Sequence, residues 1–490
     1  MSTTTSSTAV SSPFATWVES VGEALRQTPG TLRLVQALVI FAALLYAALS
    51  LSFYSYLDKA SRAIGRDSEP SIVAAQNIRG LLGDAHANVA TAFLLREPQN
   101  GDHWADYRGD MEEVHDALLG AAQNITYGES ERGPIASVMK NVSLYERLIG
   151  QAVAQGDAES LMEADQLMRE KIQPAAAALD QANFSPLSRT WDDFKAHAST
   201  EIVIVLVGSL TLLGLLVFAQ VYHFRKTRRI LNFGLLFATV VFAVSTAILA
   251  FTCVHIRNDM RVAKEDAFDS IHALWQARAE AYAASAQASF YLLDGNHGTD
   301  GAQPLTVAQQ GQRELLKSFY SLDIDAKHIP NRAQRLAEFR QDERKLLDAS
   351  PEQVANALNN KLRLKGLLGD ELANITFDGE GEAALQAVTY WNAYAQVYQD
   401  LLKLDVKAAA ADPDKALELS QAVARADLAF GAFDNSLEKT IDINENAFDN
   451  SIDKVVANIG YLPWLFAITA VLVIVSTVAG FRPRLNKYRF

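Results

Sequence analysis

Four stretches without a single Asp, Glu, Lys or Arg decide what this chain can fold into: Leu34 to Leu57, Ile202 to Tyr222, Ile230 to Val254 and Ile459 to Phe481. A helix needs about 20 predominantly apolar residues to cross a hydrocarbon core of about 30 Å, and each stretch meets that length. The first starts too late and runs too long for a cleaved leader, and no small-residue cleavage site follows it, so it is expected to stay as an anchor. The only cysteine, Cys253, falls in the third stretch. That excludes an intrachain disulfide and a cysteine-based metal site.

Charge sets the expected sidedness. The connector between the second and third stretches carries Arg225, Lys226, Arg228 and Arg229, and the chain after the fourth carries Arg482, Arg484, Lys487 and Arg489. By the positive-inside rule both segments read as cytoplasmic. Residues 58–201 and 255–458 then lie outside; the first of these holds 13 Lys/Arg against 23 Asp/Glu. The expected order is a cytoplasmic segment 1–33, span 34–57, outer domain 58–201, span 202–222, basic connector 223–229, span 230–254, outer domain 255–458, span 459–481 and basic tail 482–490. A net charge of −13, carried mostly by the outer segments, argues against nucleic acid as a partner.

The two outer segments repeat one another. Leu118-Leu119-Gly120 followed by Asn124-Ile125-Thr126-Tyr127 recurs as Leu367-Leu368-Gly369 followed by Asn374-Ile375-Thr376-Phe377, and Tyr145 recurs as Tyr394. Upstream, Ala92-Phe93-Leu94-Leu95 is matched by Ser289 to Leu293. The unit is span, outer bundle, span, used twice and in parallel, as internal repeats in membrane proteins commonly are. The second use carries about 50 extra residues between Asp294 and Lys361, where Gly295, Gly298, Gly301 and Pro304 mark a loop.

Helical spacing dominates both outer segments. Ile78, Leu82, Ala85, Val89 and Ala92 alternate steps of four and three, and Ile271, Leu274, Trp275, Tyr282 and Leu292 form a bulkier face of the same kind. Breaks near Pro98 to Gly101, Gly128 to Pro134 and Gln155 to Asp157 divide the first segment into four helices, the outer two continuing the spans. Pro174 and Pro186 predict kinks or a short loop in the last of them. The fold class expected is all-α: four transmembrane helices with two duplicated extracytoplasmic helical bundles. Before the first span, Ser12 and Pro13 open an amphipathic helix with Phe14, Trp17, Val18, Val21 and Leu25 on one face, ending at Pro29-Gly30. Trp17 and the eight basic residues above are the candidate contacts to membrane lipids or a cytoplasmic partner.

Catalytic patterns are not found. His103, Asp106 and Asp110 fall near one helix face with His115 downstream, yet there is no HExxH, nucleophile elbow, phosphate loop or dinucleotide fingerprint. No cofactor, metal or enzymatic activity is expected. The Asn-x-Ser/Thr triplets at Asn124, Asn141 and Asn374 would be glycosylated only in a pathway that performs that chemistry. The spans hold no charge of the kind ion and proton pathways use.

The stretch from Thr28-Pro29-Gly30, the run from Tyr145 through Leu167-Met168-Arg169 to Pro174-Ala175-Ala176, and the terminal Arg482-Pro483-Arg484-Leu485 with Tyr488-Arg489 resemble the GlnX-type membrane proteins of actinobacteria. The resemblance covers most of the chain, and the insertion between Asp294 and Lys361 departs from it. It implies chemoreceptor-like four-helix bundles and a relay that works with an extracytoplasmic amino-acid-binding lipoprotein and a cytoplasmic Ser/Thr kinase. The expected function is thus a non-enzymatic signal relay or sensor; the alternative is a structural scaffold of an envelope complex.

Overall fold

Helix is the only regular structure among the residues that the computed structural model describes, which are 28–227, 232–294, 367–368, 371, 374–401 and 403–486. Helix α1 (Thr28–Arg62) passes through a π-helical turn, Ala63–Ser68, into α2 (Glu69–Leu94). Then come α3 (Asp102–Gln123), α4 (Glu129–Gln155) and α5 (Ala158–Leu167), a second π turn at Met168–Ile172, and α6 (Gln173–Thr227). Helix α7 (Phe233–Arg261) runs through a third π turn, Val262–Phe268, into α8 (Asp269–Asp294). The chain continues with α9 (Glu380–Leu401), α10 (Val406–Ala411), α11 (Pro413–Gly460) and α12 (Leu462–Leu485). The amphipathic segment 12–27 and the insertion 295–361 lie outside the described residues.

Two units are distinguished, residues 1–61, 192–259 and 453–490 forming one, residues 62–191 and 260–452 the other. In the first, the helices are apolar on their outward faces as well as inside. Phe41, Leu210, Phe251 and Trp464 are each more than 60% exposed, whereas a helix in water turns its apolar stripe inward and a polar face out. Such surfaces suit lipid: four helices are long and apolar enough to span a bilayer, and the fold is that of an all-α multi-pass membrane protein. Inside, the Tyr46 ring stands edge-on to Phe242 at 5.0 Å and to Phe466 at 6.4 Å, and Thr469 Oγ1 donates to Ser245 Oγ at 2.9 Å. A Cβ on Gly234 would lie 2.5 Å from the Ser476 carbonyl, so the close crossing of α7 and α12 depends on hydrogen at that position.

The helices do not begin and end where the charge-free runs do. Helix α1 begins at Thr28 with Pro29 in its first turn, where a missing N–H breaks no helical bond. Helix α7 begins at Phe233, and the Asn232 side chain accepts from the Gly234 N–H at 3.2 Å and donates to the Gly480 carbonyl at 2.9 Å. In the fourth run, α11 ends at Gly460 and α12 starts at Leu462 with Pro463 next to it.

In the second unit no loop interrupts the chain at Pro174 or Pro186. Helix α6 runs unbroken across Pro186, because Leu179, Leu187 and Trp191 are buried on its face and offset the roughly 3 kcal/mol an interior proline costs. Pro174 follows the second π turn, where the Gln173 N–H bonds to the Met168 carbonyl, and sits in the first turn of α6. The wide turn takes up the distortion.

The apolar stripes become cores. Ile78, Leu82, Ala85, Val89 and Ala92 are all fully buried, as are Ile271 and Leu274. Among them sits a buried polar network: His86 Nδ1 lies 3.1 Å from the Tyr145 hydroxyl and Nε2 lies 3.2 Å from Asp165 Oδ1, while Arg169 clasps Asp165 at 2.8 to 3.1 Å. Burial lowers the His86 pKa despite the carboxylate beside it. Burial acts to raise Asp165, but hydrogen bonds and charge from His86 and Arg169 hold it below its usual value.

One local arrangement occurs twice. After α3, Asn124 Nδ2 donates to Ser71 Oγ at 3.2 Å, Thr126 Oγ1 reaches the Asn124 carbonyl, and the Tyr127 N–H bonds to Glu131 Oε2. Before α9, Asn374 Nδ2 donates to Ser270 Oγ at 3.0 Å, Thr376 Oγ1 reaches the Asn374 carbonyl, and the Phe377 N–H bonds to Glu380 Oε2 at 2.9 Å. Asn374 Nδ2 also meets the Glu265 and Asp266 carbonyls of the third π turn, at 3.1 and 2.9 Å. Deep in each region, Asn183 on α6 and Asn444 on α11 donate to the carbonyl four residues before them.

Candidate functional site

Helices α2 and α8 of the second unit pack extensively against one another. Three features allow their close approach. A Cβ on Gly83 would lie 2.9 Å from Tyr282 Cβ; the Phe290 ring stacks on His86 at 4.5 Å; and the Thr91 and Ser289 hydroxyls lie 3.3 Å apart. Each core takes a residue from across this seam, Phe290 joining the α2–α6 cluster and Leu94 joining that of α8, α9 and α11.

Where the seam opens, it leaves a cavity of about 670 Å³ among α2, α8 and α11, with Glu113 of α3 at one side. That volume lies within the range of small-ligand sites, about 300 to 1,000 Å³. Its wall carries Asp84, Glu113, Glu438, Asp442 and Glu445 against one guanidinium, Arg278. Arg278 forms a two-pronged pair with Asp434, Nε to Oδ1 and a terminal nitrogen to Oδ2, both at 2.7 Å, and lies 5.2 Å above the Trp275 ring. Both side chains of the pair are less than a fifth exposed, so they are weakly screened. Tyr282 completes an aromatic side to an otherwise acidic chamber.

The excess of carboxylates is visible in their protonation. Burial, with Asp110 and Asp434 nearby, pushes Asp84 up to about 7. Burial raises Asp110 to about 6, although the Asn88 amide bridging it to Asp84 at 3.0 Å pulls the other way. Burial also raises Glu445. Between about pH 4 and 7, folded Asp84 therefore holds a proton that the unfolded chain, at the ordinary carboxylate value of 3.8, has released. The contribution of Asp84 to stability is thus fully present below about pH 4 and is lost as pH rises to about 7. Thermal midpoints of the full chain at pH 5 and pH 8 check this: Asp84→Asn should flatten the decline, and an unchanged slope would remove Asp84 as its source.

The residues singled out from sequence lie elsewhere. Arg225 and Lys226 are exposed in the last turn of α6, and Arg482 (exposed) and Arg484 (half-buried) are in the last turn of α12. Cations at these positions complement the helix dipole. Trp17, Arg228, Arg229, Lys487 and Arg489 lie outside the described residues. His103, Asp110 and His115 do not converge: His103 sits between Glu97 at 3.0 Å and Asp427 at 3.5 Å, Asp110 meets Asn88, and His115 meets Glu146 at 3.0 Å. Among the described residues no group of three His, Cys, Asp or Glu is placed to hold a metal.

Sequence reasoning missed Arg278, although a signal existed. Trp275, Arg278 and Tyr282 fall three and four residues apart, which sets a cation between two aromatic rings on one helix face.

No curated protein and no solved structure matches the chain. The actinobacterial sensor domain family matches residues 60–192, the span that runs from the end of α1 through α2 to α5 and into α6. In that region the chain is similar to an actinobacterial sensor domain, and the similar region supplies one wall of the acidic chamber.

Proposed function

We propose that this protein is a non-enzymatic transmembrane sensor whose input site is the chamber at the α2–α8 seam. The observation that carries the reading is the position of that chamber: Asp84 comes from the region similar to a sensor domain, and Trp275, Arg278 and Tyr282 come from α8. An amino acid is the ligand class that suits it. Its ammonium group would meet Asp84 and Glu445, with Asp84 giving up its proton on binding, and its carboxylate would share the Arg278 guanidinium with Asp434 beside Trp275.

On this reading the second unit is extracytoplasmic, and its two helix sets are duplicates, supported by the paired arrangements around Asn124 and Asn374. Ligand would arrive free or on an amino-acid-binding lipoprotein, and the basic residues from Arg225 and from Arg482 onward would face a cytoplasmic Ser/Thr kinase and lipid headgroups. Driving a two-state receptor from 1:99 to 99:1 requires binding that prefers one state by about 5.5 kcal/mol. A seam that repacks while each set stays intact is suited to supply it.

The test is the thermal midpoint of the full chain in lipid nanodiscs, titrated with a panel of amino acids. At least one should raise the midpoint in a saturable way, and Asp84→Asn with Glu445→Gln should remove that rise. A chain indifferent to all of them, alone and with binding lipoproteins added, would favour the scaffold instead.

A further inference from the structure

A smaller cavity of about 190 Å³ lies within residues 62–191. Its polar wall is made by Ser71, Asn124, Glu131 and Asn183. Glu131 and Asn183 are almost fully buried, at 2% and 1% exposed, and Asn183 Oδ1 has no hydrogen-bond partner among the described residues.

The second set carries the same four residue types in the same arrangement, Ser270, Asn374, Glu380 and Asn444, again with Asn444 Oδ1 unpartnered. There a fifth side chain, Glu371, is present, fully buried with Ser270, Glu380 and Asn444 around its carboxyl. Burial, with the neighbouring Glu380, holds Glu371 well above the usual carboxylate range, which makes its carboxyl a hydrogen-bond donor. Three residues before Asn124, where Glu371 stands before Asn374, the first set has Ala121, which lines the cavity and leaves the space open.

We infer that the cavity bounded by Ala121 is a binding site for a small primary ammonium ion, held by Glu131 and Asn183, and that Glu371 plugs its counterpart in the second helix set. The chemistry narrows the ligand. Glu131 and Asn183 Oδ1 accept hydrogen bonds, so the ligand must donate them. No Lys, Arg or His lines the cavity, so an anion is repelled and an amino acid's carboxylate finds no partner. Ile135 and Leu179 give the remaining wall an apolar surface, which suits a short alkyl chain better than a hydrated inorganic ion. At about 30 Å³ per water, the space accommodates a short amine of about four to six heavy atoms. This site goes beyond the seam chamber and does not depend on it.

The experiment uses the full chain in nanodiscs with n-propylammonium chloride as the probe, and tetramethylammonium and propionate as controls. Calorimetry should show one saturable site for propylammonium and none for the controls. Ala121→Glu and Ala121→Leu, which fill the cavity from the same wall, should abolish binding with far-ultraviolet circular dichroism unchanged. Asn183→Leu should weaken it about tenfold or more, and Glu371→Ala should raise the stoichiometry from one to two. Absence of binding, equal binding of tetramethylammonium, undiminished binding by both folded Ala121 variants, or a stoichiometry that stays at one in Glu371→Ala would each overturn the inference. Failure of propylammonium leaves the amino-acid titration of the seam unaffected, so the two readings fail separately.

Discussion

Arg278→Ala is expected to lower the unfolding free energy of the full chain by about 3 to 5 kcal/mol, the usual cost of removing one member of a buried ion pair. The guanidinium meets Asp434 through two bonds of 2.7 Å, and the variant would leave that carboxylate facing Asp84 with no cation between them. It also removes the group stacked over Trp275. Denaturant unfolding in nanodiscs measures the effect, and the double variant Arg278→Met with Asp434→Leu should recover most of it, because replacing both charges leaves none stranded. If the double variant is as unstable as the single one, the pair's packing, and not its charge, holds α8 against α11.

Tyr145→Ala should be comparably severe, at about 3 to 5 kcal/mol, since this side chain is fully buried in the core of α2 to α6 and its loss leaves a cavity among side chains that relax only in part. Tyr145→Phe isolates the hydroxyl. It keeps the ring against His86 and removes only the partner 3.1 Å from Nδ1, so a cost of about 1 to 2 kcal/mol is expected. The comparison reads directly on the network of His86, Asp165 and Arg169. Equal losses in the two variants would mean that the polar network, more than the ring's volume, supports this core.

The fold was legible where chemistry repeats at short range. Charge-free runs mark the spans, and the steps of three and four through Ile78, Leu82, Ala85 and Val89 mark a stripe that proves fully buried. What was illegible has a physical cause in each case. Pro186 reads as a break because local propensity sees the missing N–H and cannot see Leu179, Leu187 and Trp191 held against the core. The π turns are hidden because an extra residue in a helix changes no residue type. The chamber escaped because its partners are distant in the chain: Arg278 and Asp434 are 156 residues apart, and no periodicity links them. The basic clusters stood out for the opposite reason, being contiguous in sequence.

The wide turns at Ala63–Ser68 and Val262–Phe268 have a mechanical consequence. Each holds one residue more than an α-helical turn does, and handing that residue to the next turn remakes every backbone bond one place along while twisting the intervening segment by about 100°. Shifting such a turn along its helix would therefore deliver a rotation about the helix's own axis together with an axial step of about 1.5 Å, and would need no loop to do so.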